Sequence, residues 1–299
     1  MKWWSGLIGL APFALSAGLA LTFALAYKAL NRRMSRRSPL AGRKVGKLPG
    51  QELVERVSDH ETDLLLAVML MYMALPLMFL GWVGTRFRLD TVVWGSVETI
   101  FLLGALALFG YGLFGYVRAF RARERARDGL LAERVTGMQL NRLVAQGCTV
   151  MHDLPGEGFN IDHVVIAPRG VYAVETKSFR KPKQTGAGDA YRVVFDGALL
   201  RFPDFAEKNA LEQARRQAQW LAKVLREALG RDVPVIPALA LPGWLIEQGD
   251  DTWRNAAVKV FSPMGGGANF MAKDIQAIDA TTRNLIRDAL AVRYPDIPA

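Results

Sequence analysis

Residues 160–181 read NIDHVVIAPRGVYAVETKSFRK. Two apolar stretches flank APRG at 167–170, whose proline and glycine mark a tight turn, so the segment predicts an antiparallel hairpin. Pairing Ile166 with Val171 places Asp162 directly opposite Glu175. Opposed residues on one face have Cβ atoms about 4.5–5.5 Å apart. Lys177, two residues beyond Glu175, projects from the same face. Val164, Ile166, Val171 and Ala173 share that face, which is therefore apolar toward the turn and charged toward the open end. Facing carboxylates destabilise a sheet unless something compensates them. A divalent cation would do so, because hard oxygen donors a few ångströms apart suit Mg²⁺ or Mn²⁺. Lys177 beside it could hold or activate a water, or stabilise charge on phosphorus. The arrangement suits metal-assisted hydrolysis of a phosphodiester. The plainer alternative is a solvated face on which Lys177 offsets two acids.

Working outward, residues 129–146 have helical spacing and end before Gly147. CTVMHDL reads as a strand leading into the hairpin. YRVVFDGALLRF predicts a second hairpin, with Asp196-Gly197 as its turn. Residues 207–229 form an amphipathic helix, VPVIPALAL and AAVKVFSP read as strands, and residues 273–292 as a last helix. This order predicts one α/β or α+β domain. SPMGGGANF at 262–270 is Gly-rich but lacks the phosphate-loop pattern, and is read as a plain loop. His163 faces away from Asp162 and is read as structural, while His152 and Asp153 receive no role.

An Asp, then about a dozen residues, then Glu-x-Lys resembles the core signature of the PD-(D/E)XK nuclease superfamily. The surrounding blocks GLLAERV, VMHDL, the hairpin, and NALEQARRQAQWL resemble the NERD, or nuclease-related, branch over roughly residues 127–245. The resemblance implies a restriction-endonuclease-like core: a mixed sheet flanked by helices. By position it implies catalytic roles for Glu133, Asp162, Glu175 and Lys177, with Asp162 and Glu175 as metal ligands for Mg²⁺ or Mn²⁺. Asn209 and Gln213 fall where the family shows Asn and Gln opening its second helix. Ile161 stands where the superfamily name has proline, and GLLAE replaces the GxxGE that often precedes the first-helix acid. Arg180, Lys181 and Lys183, just past Lys177, could contact backbone phosphates with little sequence preference.

The 299 residues carry a net charge of +10, spread over both halves of the chain. Such an excess suits nucleic acid or anionic lipid. Cys148 is the sole cysteine, which excludes an internal disulfide and a cysteine-based zinc site. Leu7–Ala26, Leu64–Val83 and Val92–Val117 are apolar runs long enough to cross a bilayer, the last interrupted only by Glu98. Trp3, Trp4, Trp82 and Trp94 mark their ends. The basic residues of NRRMSRRSPLAGRKVGK and RAFRARERAR place both segments on the cytoplasmic side.

The expected organisation is a transmembrane helix in 1–30, a basic cytoplasmic loop in 31–61, two further spans in 62–117, a basic connector in 118–128 and the NERD-like domain in 129–299. The N-terminus lies outside, and the domain lies on the cytoplasmic face of an inner membrane if the source is bacterial. The reading is a membrane-anchored, metal-dependent nuclease acting on nucleic acid, DNA ahead of RNA. Its rivals are a catalytically inactive tethered module that binds nucleic acid or protein, and a structural component of a membrane complex.

Overall fold

From Ser96 onward the third apolar run, the basic connector and the domain's first helix as far as Asn141 form one helix. In the computed structural model α2, Ser96–Asn141, runs unbroken for 46 residues. Arg, Ala and Glu dominate residues 118–128, and all three are strong helix formers, so nothing there stops the helix. The preceding helix α1, Gln51–Thr85, begins inside the segment expected to be a loop. The structure describes residues 50–85, 95–182, 191–273 and 277–295. The first apolar run, Leu7–Ala26, lies outside the described residues.

The chain divides into two units. The first takes residues 1–43 and 58–123, and the second takes 44–57 and 124–299. In the first unit, the described parts of α1 and α2 are each long and apolar enough to cross a membrane. They pack through small residues: a Cβ on Gly112 would lie 2.7 Å from Met71, and one on Gly81 would lie 2.9 Å from Phe101. Arg123 pairs with Glu61 at 2.7 Å. Little of either apolar stretch is buried, and Tyr72, Ile100 and Phe114 face outward.

The second unit holds two mixed sheets. Its strands are β1 (Thr149–Pro155), β2 (Asn160–Ala167), β3 (Gly170–Thr176), β4 (Arg192–Phe195), β5 (Leu200–Arg201), β6 (Ala206–Glu207), β7 (Val235–Ala240), β8 (Leu245–Glu247) and β9 (Lys259–Phe261). Its further helices are α3 (Asn209–Leu229), α4 (Asp250–Asn255) and α5 (Ala280–Arg293). The larger sheet has the order β1-β2-β3-β7-β9, antiparallel through β3 and parallel from β3 to β9. The smaller has the order β6-β5-β4-β8. A single mixed sheet was expected; β6 and β8, two and three residues long, show no periodicity that could reveal a second. The Asp196-Gly197 turn does join β4 to β5, with Asp196 Oδ1 accepting from the amides of Ala198 and Leu199.

Both faces of the larger sheet are buried. Val164, Ile166, Val171 and Ala173 pack with Ala218, Leu221 and Leu225 of α3 and with Ile286 and Leu290 of α5. Val165, Tyr172 and Val174 pack with Leu140 of α2, Leu143 and Phe261. That explains why β2 and β3 read as nearly continuous apolar runs.

The hairpin turn is braced twice. Pro168 O accepts from the amides of Ala277 and Ile278, just before α5. Gly170 sits against β7, where Val171 N donates to Pro234 O at 2.9 Å. A Cβ on Gly170 would stand 2.7 Å from that same carbonyl oxygen. Gly170→Ala must therefore separate β3 from β7 or strain the turn. We expect it to destabilise the full chain by about 2 kcal/mol and lower the Tm by about 5 °C, read by thermal unfolding in detergent.

Candidate functional site

The hairpin register is the one expected from the sequence, with Ile166 opposite Val171 and His163 opposite Val174. Regular pairing stops there, and the Asp162 carboxylate takes over a ladder role. Its Oδ2 accepts from the backbone amide of Thr176 at 2.6 Å. Glu175 lies across from it on the face packed by α3, with only 3 % of its surface exposed. A buried carboxylate needs donors, and α3 supplies them. Gln213 Nε2 donates to Glu175 Oε1 at 2.7 Å, and Gln217 Nε2 donates to Oε2 at 2.6 Å. Lys177 completes the shell with Nζ 2.6 Å from Oε1. The Lys177 amide donates to Ala240 O, which extends the β3–β7 ladder and fixes where that side chain leaves the sheet.

More acids converge here than the hairpin contains. Glu133 on α2, Asp153 at the end of β1 and Asp162 line one cavity of about 670 Å³. Asp153 breaks the alternation of its strand with a left-handed backbone (φ 55°), a conformation that aspartate tolerates better than most residues. Its Oδ1 accepts from Asn160 Nδ2 at 2.9 Å. Burial, then Asp153, Glu175 and Glu52, push the Glu133 carboxyl up to about 7, and Lys177 opposes them only in part. Burial, then Glu175 and Glu133, hold Asp162 well above the ordinary carboxylate range. The Asp162–Glu175 repulsion inferred from the register is thus present, and a third carboxylate adds to it.

A divalent cation fits this donor set in a limited way. Among the described residues, no group of three or more His, Cys, Asp or Glu side chains stands close enough to form a cage. Two hard carboxylates do converge. The second oxygen of Asp162 has no hydrogen bond among the described residues, and Glu175 Oε2 carries one donor against two lone pairs. Mg²⁺ commonly takes one or two carboxylates and completes its octahedron with water and phosphate oxygens.

Residues 128–242 match the model of NERD, the nuclease-related domain. No curated protein and no solved structure matches the chain. The NERD segment contains Glu133, Asp162, Glu175, Lys177 and Gln213, and the fold brings all five to one place. It does not bring Asn209, which is exposed at the start of α3 and does not line the cavity. Arg180 is held by Asp128 at 2.5 Å and Glu124 at 3.7 Å. Lys181 lies 5.7 Å over the Trp244 ring, and Lys183 falls outside the described residues.

Asp153, Asn160 and Gln217 were missed by sequence reasoning. Gln217 had a signal, since it lies one helical turn beyond Gln213 on the apolar face of α3, where a polar residue needs a reason. Asp153 had a weaker one: pairing β1 with β2 across PGEGFN sets it beside Asp162.

His152 and His163 occupy the other face of the sheet. Their Nδ1 atoms are 2.8 Å apart, and His152 Nε2 meets Asn141 Oδ1 at 3.0 Å. The amide oxygen only accepts, so His152 donates through Nε2 and accepts at Nδ1 from His163. Burial depresses both rings, His152 to about 4 and His163 well below the usual range, and both stay neutral.

Proposed function

We propose that this chain is a membrane-anchored, divalent-metal-dependent nuclease. One observation carries the reading: Asp162 and Glu175 meet across β2 and β3 with Lys177 ion-paired at their edge, inside a segment that matches a nuclease-related domain. Asp162 and Glu175 would hold Mg²⁺ or Mn²⁺, which when bound would neutralise phosphate charge and make a bound water more acidic. Gln213 and Gln217 keep Glu175 in one orientation, so its carboxylate is placed before substrate arrives. Lys177 offers ammonium hydrogens to the attacking water or to a phosphate oxygen. Glu133, with its carboxyl near 7, can take up or release a proton at physiological pH.

The substrate is nucleic acid, with DNA the first choice. The lipid bilayer is the second partner, through the apolar helices α1 and α2 and the run Leu7–Ala26. Basic segments on both flanks of the helix pair support a nuclease-related domain on the cytoplasmic side, with the N-terminus outside. The test is cleavage of supercoiled, linear and single-stranded DNA and of RNA by the detergent-solubilised full chain, with Mg²⁺, Mn²⁺ or EDTA. Metal-dependent cleavage that is lost in Lys177→Ala supports the reading; intact substrates in every condition reject it.

A second reading keeps the fold and drops the chemistry. Both Glu175 oxygens already have donors, and Lys177 is one of them. That arrangement also suits a tethered module that binds nucleic acid without cutting it. Metal-independent binding with no cleavage would select this alternative.

A further inference from the structure

The cavity beside Asp162 has a wall that the NERD match does not include. Residues 50–57 belong to the same unit as residues 124–299, although they precede the match by some seventy positions. Three contacts seat them. Gly50 takes a left-handed backbone (φ +73°) that brings it against α2, where a Cβ would stand 2.6 Å from Leu130 and 3.3 Å from Glu133 Oε2. Leu53 packs onto Gly129. Glu52 Oε2 accepts from Asn160 Nδ2 at 2.6 Å. Asn160 O in turn accepts from Gln217, the donor to Glu175, so the wall is tied by hydrogen bonds to the Glu-x-Lys acid.

This wall carries one cation. Glu52, Glu55, Glu133, Asp153 and Asp162 line the cavity, and Arg56 is the only Lys or Arg among the described lining residues. A polyanion entering such a space meets five acids. Lys177 is tied to Glu175, which leaves Arg56 as the basic group that the cavity itself presents. Its guanidinium pairs with Glu52 one helical turn away, and side-chain exposure there is 60 % and 43 %. An ion pair this exposed holds its partners by about 0–1 kcal/mol. A phosphate, which matches the guanidinium fork with two parallel hydrogen bonds, can replace Glu52 at little cost.

We propose that Arg56 binds a backbone phosphate of the substrate, and that residues 50–57 complete the nucleic-acid site from outside the matched domain. The assignment rests on the nuclease reading only in taking nucleic acid as the ligand. The test is fluorescence anisotropy with the full chain in detergent, using a labelled DNA single strand of about 20 nucleotides. Ca²⁺ replaces Mg²⁺ to hold off cleavage, and salt is varied between about 50 and 200 mM. Arg56→Ala should weaken binding about tenfold. It should also flatten the plot of log affinity against log salt by about 0.7, the value of one phosphate contact on a single strand. Arg56→Lys should keep the slope and recover part of the affinity, because it retains the charge and loses the fork. A structural role would move affinity without moving the slope. Wild-type affinity and slope in Arg56→Ala would overturn the assignment and leave the nuclease reading standing. No binding by the wild-type chain at any salt would overturn both.

Discussion

Glu175→Gln is expected to cut the cleavage rate of the full chain by about a thousandfold, because losing a metal-holding carboxylate removes several kcal/mol of charge stabilisation. The substitution keeps the size of the side chain and removes its charge. It also faces Gln213, Gln217 and Lys177, all of which donate, with an amide that can satisfy at most part of them. Stability should move far less than activity. Taking away the charge relieves Asp162 and Glu133, both of which Glu175 pushes upward, and that relief offsets the lost hydrogen bonds. Groups kept at a cost to the fold are those retained for chemistry. Parallel measurements of cleavage and thermal unfolding separate the two effects. A variant that unfolds yet cleaves normally per folded molecule would contradict the assignment.

The second large effect is a pH dependence of metal stabilisation. In the metal-free protein Glu133 releases its proton near 7 rather than near 4.5, and Asp162 is also raised. Between about pH 4.5 and 7 the folded state therefore binds more protons than the unfolded chain, so these acids make stability fall as pH rises. The two histidines act in the opposite sense: with folded values below 6.5, they make stability fall as pH drops from 6.5 toward 4. The slopes partly cancel, so the metal-free Tm should change little across pH 5 to 7. Mg²⁺ competes with protons for the acids and not for the histidines. The Tm gain on adding saturating Mg²⁺ should then grow from near zero at pH 5 to on the order of 5 °C at pH 8. Glu175→Gln should abolish that gain. An increment that stays constant with pH, or survives in the variant, would place the cation elsewhere.

The core of the site was legible because antiparallel pairing is arithmetic. Once APRG is the turn, the positions of Asp162, Glu175 and Lys177 follow without knowing the rest of the fold. Gln213 was legible only through the family resemblance, and nothing local announced what its amide would touch. Arg56 and Glu52 were hidden because their proximity to Asp162 depends on contacts spanning more than a hundred residues, as the Glu52–Asn160 bond does. The α2 helix was read as consecutive pieces, an apolar run, a helical connector and a domain helix over 129–146, for the opposite reason. Apolar patterning stops near Val117 while helix propensity does not, and the helix follows the backbone preference. The second sheet escaped because strands of two or three residues carry no alternation.

The second unit is discontinuous: it takes residues 44–57, the chain then leaves along α1, and it returns along α2 after Arg123. One folded body cannot lie on both sides of a bilayer. Whatever the intervening residues do, they must cross an even number of times, so an odd count between Val57 and Glu124 is forbidden by assembly alone. This parity requires no counting of basic residues. It also sets the order of events during synthesis, since the wall bearing Arg56 emerges first and must wait for β1–β3 before it has a site to close.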